Sequence, residues 1–261
     1  MTAIITLITD FGTQDGYVGA MKGAISSIAP DSGIIDITHE IAPQSILQAS
    51  FCLARTAPHF PPDSIHLVVV DPGVGSFRPA VLIRADNQWL IGPDNGVFSI
   101  HLEKNPPTEI FHIFPKTENW QSHSSFDGLA LFSPAAAHLA SGMELSKIGL
   151  AVENYQKLAL PLPVKTANGL EGEILMFDRF GNAITNLSEK DLGPLKKVQV
   201  AAFGKHELRC PLLSHYQAGA NVKYLAIINS DGLLELSVFC GSIQKECDLL
   251  IGDMIRVIEQ P

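Results

Sequence analysis

Apolar residues follow two rhythms along this chain. Near-continuous runs rich in isoleucine and valine at Ala3–Ile8, Gly33–Thr38 and Ile65–Val70 predict strands. Between the first two, Val18, Met21, Ile25 and Ile28 recur at helical spacing, which predicts a helix over Tyr17–Ile28; a second helix is predicted over Ile46–Ala54. Strands that are apolar along their length need cover on both faces. Their alternation with helices predicts a mostly parallel sheet in an α/β domain.

The texture changes at Leu158. The stretch LALPLPVKTANGLEG holds two prolines and two glycines, a connecting composition. Beyond it come short strand-like runs at Gly172–Phe177, Ala183–Leu187, Val198–Phe203, Tyr224–Ile228, Leu233–Val238 and Ile255–Ile258, with little helical periodicity. The pattern predicts an α/β N-terminal domain over 1–160, a linker over 161–170, and a small all-β C-terminal domain over 171–261. That second domain is expected to be an antiparallel sandwich or barrel.

Composition adds exclusions. With 261 residues, 46% hydrophobic and 17% charged, the chain is neither disordered nor collagen-like. A chain of this length removes roughly 73% of its unfolded surface from water. Its apolar runs, such as Leu67–Val70, fall far short of the roughly 20 residues that span a bilayer. The opening MTAIITLITDFG has no basic region and meets Asp10 too early for a signal peptide, so a soluble cytoplasmic protein is expected. A net charge of −9 argues against a nucleic-acid partner and suits a cationic small molecule. The four cysteines form no C-x-x-C pair and the nine histidines show no metal-ligand spacing, so reduced, packed thiols and no metal are expected.

Six segments set polar residues between turn formers: TDFGTQDGY, THEIAPQ, VVDPGVGSFR, GPDNG, FDRFGN and INSDG. Each alone reads more readily as an ordinary turn. Most follow a strand-like run, and ligands on parallel sheets collect beyond the carboxyl ends of strands, so together they predict a ligand-binding rim. Gly73-Val74-Gly75 is no dinucleotide fingerprint, since no third glycine opens a following helix.

These segments, with HLVVVDPGVGSFRPA, FSPAAAHLASG and DRFGNAITN, resemble the S-adenosyl-L-methionine hydroxide adenosyltransferase family, relatives of fluorinase and chlorinase. The resemblance spans nearly the whole chain in order. It implies a homotrimer with a substrate site between one subunit's N-terminal domain and a neighbour's C-terminal domain. The implied reaction is hydrolysis of S-adenosyl-L-methionine (SAM) to adenosine and L-methionine by water attack on ribose C5′, without a cofactor.

Residue by residue, the resemblance assigns Asp10 to the ribose hydroxyls and Asp15 to the methionine ammonium. An ionised carboxylate is an acceptor-only group and so takes both hydroxyls of a diol. Asn182 falls where the family reads the adenine edge, Asp178 and Phe180 where it lines the pocket, and Ser230 near the methionine carboxylate. From the residues alone, Asp10 and Asp15 also stand where they could cap the Tyr17–Ile28 helix.

The family's water-activating set is an Asp, an Arg and a His. Asp71 and Arg78 match the first two. The third comes from a segment reading F-H-G-R-D-x-F-A-P, which here runs Phe126-Asp127-Gly128-Leu129-Ala130-Leu131-Phe132-Ser133-Pro134. Phe126, Gly128, Phe132 and Pro134 keep the register, so Asp127 occupies the histidine position; His123 lies four residues upstream. Two neighbouring carboxylates, with Arg78 the expected compensating charge, could share a proton and deprotonate a water. Alternatively, Asp127 faces solvent and the protein binds SAM or adenosine without turnover. The halogenases resembling this family carry tyrosine where Asp71 stands, and a carboxylate repels a halide.

Overall fold

The apolar runs become strands within a few residues of where their rhythm places them. The computed structural model describes residues 2–114, 126–167, 169–193, 198–203 and 207–259. The chain divides into two units, Met1–Leu158 and Ala159–Pro261.

In the first unit, β1 (Ile4–Thr9), β2 (Gly33–Thr38), β3 (Ile65–Val69), β4 (Ala80–Ala85), β5 (Gln88–Pro93), β6 (Glu109–Ile113) and β7 (Gly149–Ala151) form one sheet in the order β2-β1-β3-β5-β4-β6-β7. Residue alternation sends Ile5, Leu7 and Leu67 to one face, where they meet Val18, Met21 and Ile25 of α1 (Tyr17–Ile28). Ile8, Val68 and Val81 go to the other, against Ala49 and Leu53 of α2 (Ile46–Thr56). Both faces are covered, as the unbroken apolar strands require.

The sheet is mixed rather than mostly parallel. Strands β2, β1, β3 and β5 run parallel, whereas β4, β6 and β7 join antiparallel. The cause is a two-residue turn between β4 and β5. Asp86 and Asn87 take φ of 47° and 57°, both left-handed, and such a pair joins adjacent antiparallel strands. A parallel neighbour would need a crossover of about a dozen residues. Consequently β4 begins at the edge where the parallel strands end: Ala80 pairs with Pro93.

The second unit holds β8 (Val164–Thr166), β9 (Gly169–Phe177), β10 (Ala183–Ser188), β11 (Val198–Phe203), β12 (Glu207–Pro211), β13 (Leu225–Ile228), β14 (Leu233–Ser237) and β15 (Met254–Glu259). Their order is β12-β11-β15-β9-β10-β14-β13, with β8 on β9, and every ladder is antiparallel. A bridge between Leu212 and Ala226 ties the two ends of this order, so the sheet curls nearly into a barrel and its edges are shielded. Residues 161–170, expected as a linker, include β8 and the start of β9. Among the described residues no helix is long and apolar enough to cross a membrane. All four cysteines are free, and burial pushes the Cys52 thiol up to about 11 and the Cys210 thiol up to about 12, so both stay protonated.

One polar chain crosses the first core. His66 on β3 is fully buried, with Nδ1 2.8 Å from the Thr6 hydroxyl and Nε2 3.2 Å from Gln88 Oε1. The Gln88 amide nitrogen donates to Ala57 O and Phe60 O, so its oxygen faces the ring and accepts from Nε2–H. With the proton on Nε2, the neutral ring that burial favours has Nδ1 placed to accept from the Thr6 hydroxyl. Burial lowers its pKa from 6.5 to about 4. The unfolded chain binds this proton first as pH falls, so the associated stability is whole above pH 6.5 and is lost as pH drops through 4. At 1.36 kcal/mol per unit the full loss is about 3 kcal/mol. We expect the urea midpoint to fall between pH 6.5 and pH 4, and His66→Gln, which does not titrate, to flatten that slope. An unchanged slope in the variant would refute this assignment.

Candidate active site

The carboxyl ends of β1 and β3 open onto a cleft of about 360 Å³, lined by Asp10, Phe11, Gln44, Asp71, Val74, Phe126, Asp127 and Gly128. All eight fall in the predicted rim segments or the catalytic loop, and five of them, Asp10, Asp71, Phe126, Asp127 and Gly128, are candidate site residues.

Asp71 follows β3 by two residues, and its side chain is only 5% exposed. A carboxylate taken out of water to that degree needs a charged partner. Arg78 supplies it from the segment leading into β4. Its Nε donates to both Asp71 oxygens at 2.9 Å, and its Nη2 donates to Asp71 Oδ2 as well. The same Nη2 reaches Asp127 Oδ2 at 2.7 Å, while Nη1 donates to Pro79 O at 3.2 Å. The guanidinium lies 5.3 Å from the centre of the Phe132 ring, which backs it with apolar surface. Two carboxylates thus share one cation, and with both ionised the group carries a charge of −1.

Asp127 turns its carboxylate to Arg78 and stays partly open to solvent. It directly precedes a π-helical turn over Gly128–Phe132 that flows into α3 (Ser133–Ala140). The Ser133 amide donates to Gly128 O, and so does its hydroxyl at 2.7 Å, so the wide turn is closed from both sides. Gly128 is packed tightly: a Cβ there would stand 2.6 Å from the Phe126 ring and 3.2 Å from Met21 Sδ. Phe126 in turn meets Phe11 and Tyr17 edge-on, with centroids 5.3 and 5.1 Å away. His123 lies outside the described residues.

Asp10 stands on the other wall. Its Oδ2 accepts from the Gln44 amide at 2.8 Å, while Oδ1 has no partner among the described residues. Gln44 holds φ at +66°, a left-handed value uncommon outside glycine, which marks it as a residue that sequence reasoning passed over. Asp15 is exposed in the loop before α1. Neither acid caps that helix, whose N-cap is Gly16 with no side-chain capping bond.

The remaining predicted residues form two turns in the second unit. Asp178 Oδ1 accepts from the amides of Phe180 and Asn182 at 2.9 and 2.8 Å, and its Oδ2 from Asn182 Nδ2 at 2.9 Å. This clasp orients the Asn182 side chain and lifts the Phe180 ring, 75% exposed, out of the turn. Gly181 between them has φ of +82°, and a Cβ there would meet Ser242 Oγ at 2.0 Å. Ser230 is exposed in the turn joining β13 to β14. Asn229 Oδ1 holds that turn through the amides of Asp231 and Leu233, and buried Glu235 accepts from Asn229 Nδ2 at 3.3 Å. Glu235 was also missed; its only signal is an acid at an inward position of an apolar strand. Among the described residues no three His, Cys, Asp or Glu side chains are grouped to hold a metal ion.

Residues 5–149 match the family model of the SAM hydroxide adenosyltransferase N-terminal domain, and residues 172–256 that of its C-terminal domain. The chain is 35% identical to an (R)-S-adenosyl-L-methionine hydrolase of Thermus thermophilus, over 97% of this chain and 99% of that protein. It is 34% identical to one of Methanocaldococcus jannaschii, over 98% and 95%. A fluorinase of an Actinoplanes species is 25% identical, over 97% of each. A crystal structure of an uncharacterized conserved protein from Thermotoga maritima superposes with a TM-score of 0.85 at 33% identity, covering 97% of this chain and 99% of that one.

The Asp178 clasp depends on the glycine beneath it. Gly181→Ala adds a left-handed strain and a clash with Ser242, and we expect it to destabilise the protein by about 1–3 kcal/mol. Chemical denaturation measures this; a midpoint equal to wild type would show that the turn accommodates a side chain.

Proposed function

Because the chain belongs to the SAM hydroxide adenosyltransferase family, we propose that it hydrolyses S-adenosyl-L-methionine to adenosine and L-methionine. The observation that carries this reading is the sharing of Arg78 between Asp71 and Asp127 in the same cleft as Asp10.

In this reading Asp10 accepts hydrogen bonds from the ribose hydroxyls, for which its unpartnered Oδ1 is suited. Asp15 faces the methionine ammonium, Asn182 reads adenine, Phe180 and Asp178 line its pocket, and Ser230 meets the methionine carboxylate. Phe126 and Gly128 shape the wall beside the sugar. A water held by Asp71 and Asp127 attacks C5′. The C5′–S bond breaks with its electron pair passing to sulfur, which leaves as the neutral thioether. The water's proton passes to the carboxylate pair and then to solvent. Positioning and proton removal suffice because the sulfonium is already a good leaving group. The reaction calls for no metal or organic cofactor on the same ground.

The cleft's charge favours water over a halide as nucleophile. Asp71 and Asp127 outnumber Arg78 by one negative charge, and an anion entering a partly desolvated site meets repulsion. The proposal extends to a cytoplasmic homotrimer in which a neighbouring copy supplies the second-unit residues, as the family resemblance implies. Its partner is the small-molecule substrate; neither nucleic acid nor membrane is required.

Purified protein incubated with SAM is expected to release adenosine, followed by chromatography. Binding of SAM without adenosine above a buffer blank would replace the hydrolase by a silent binding protein. Asp71→Asn should lower kcat by about 10²-fold or more while moving KM less than about threefold, since it removes a group that acts on water rather than on substrate. Asp127→Asn should act in the same direction. Addition of chloride should yield no 5′-chloro nucleoside.

A further inference from the structure

The THEIAPQ segment contributes no side chain to the reaction as drawn, yet its histidine is 4% exposed and tied to the wall that carries Asp10. His39 lies between Thr9 and Asp36. Its Nδ1 is 2.9 Å from the Thr9 hydroxyl, and its Nε2 is 3.1 Å from Asp36 Oδ1. Thr9 is fully buried at the end of β1, immediately before Asp10, and its Oγ1 accepts from the Phe11 amide at 3.3 Å. In the tautomer that carries its proton on Nε2, Nδ1 accepts the Thr9 hydroxyl proton, while Nε2 stands beside Asp36 Oδ1 outside hydrogen-bond alignment. The hydrogen bonds run from the Phe11 amide through the Thr9 hydroxyl to His39, whose far side faces Asp36.

This chain straddles Asp10, fixing the side chain of the residue before it and the amide of the residue after it. The main chain reinforces the arrangement: the Gly12 amide donates to His39 O at 2.8 Å, and the Ile41 amide to Thr9 O at 3.4 Å. The outer end is anchored at the surface by Lys22, whose Nζ is 2.5 Å from Asp36 Oδ2 with both side chains more than a third exposed. An exposed pair of this kind contributes little by itself. The buried Thr9–His39 contact is therefore the part of the chain that holds the turn.

We propose that His39 is a positioning residue: through the Thr9 hydroxyl it holds the Asp10 carboxylate where the substrate's sugar diol is read. The proposal rests on the reading of Asp10 as the ribose ligand. Its mark is a loss of nucleoside affinity that follows the Thr9 contact and not the Asp36 contact.

Two substitutions separate those contacts. An asparagine amide reaches the place of Nδ1, and a glutamine amide reaches the place of Nε2. In the full-length protein, His39→Asn should keep KM for SAM and the calorimetric Kd for adenosine within about threefold of wild type. His39→Gln should raise both by about tenfold, the equivalent of one hydrogen bond to a charged group, with kcat changing less. Thr9→Ser and Thr9→Val repeat the comparison from the other side: serine should behave as wild type, and valine as His39→Gln. Melting temperatures are recorded for all four. Equal KM and Kd in the Asn and Gln variants, or losses that simply track melting temperature, would overturn the positioning role while wild-type binding leaves Asp10 standing. Wild-type protein that bound no adenosine would overturn the reading of Asp10 and the positioning role with it.

Discussion

Arg78 has to satisfy two carboxylates with a single guanidinium, and the architecture of the first unit follows from bringing the three groups together. Asp71 is buried against that guanidinium, and Asp127 approaches the same nitrogen from a different segment. The geometry depends on strand direction. Asp71 sits past the end of a parallel strand, so its partner must also come from the carboxyl rim. An all-parallel sheet would offer that rim only the ends of strands. Because β4 runs antiparallel, the residues leading into it lie there too, and Arg78 comes within reach. The turn at Asp86–Asn87, at the opposite edge of the sheet, is thus a condition for the ion cluster.

Polar side chains at the rim spend much of their bonding capacity on the backbone. Gln44 gives its amide to Asp10, Asp178 takes two amides as well as the Asn182 side chain, and Asn229 holds the amides around Ser230. Such bonds hold a turn in one conformation before any ligand arrives, which lowers the ordering entropy that binding must overcome. They also leave defined remainders: one oxygen of Asp10, and the amide oxygen of Asn182. Under the proposed function, the groups offered to a nucleoside are what the turns have not consumed.

Much of this was legible in the sequence, and the gaps have physical causes. Periodicity located α1 because Val18, Met21 and Ile25 all face one core, and it located β1 to β3 because those strands are buried on both faces. It did not locate β4 and β5 or their direction, since direction is set by the turn at Asp86–Asn87 and not by the apolar pattern. β12 was passed over because Glu207, Leu208, Arg209 and Cys210 mix charge with apolar residues. At the site, turn formers marked the rim but could not say which side chains would turn inward. The orientation of Asp127 depends on a π-helical turn, which leaves no periodic trace. Gln44 and His39 act through a backbone amide and a buried hydroxyl, neither of which has a composition signature.

The replacement at position 127 changes the charge of the cluster without emptying its place. A neutral imidazole beside Asp71 and Arg78 would leave the cluster neutral; Asp127 makes it −1 if both acids are ionised. The substrate brings a positive sulfonium, and hydrolysis discharges it while releasing a proton. In the proposed reaction, a cluster one charge negative complements the reactant cation and takes up the proton formed as that cation disappears. The extra carboxylate is compatible with burial only because it is still about 29% exposed and bonded to Arg78, so solvent shares the charge that the guanidinium cannot fully neutralise. The same partial exposure gives the proton a way out, which a buried acid in its place would lack.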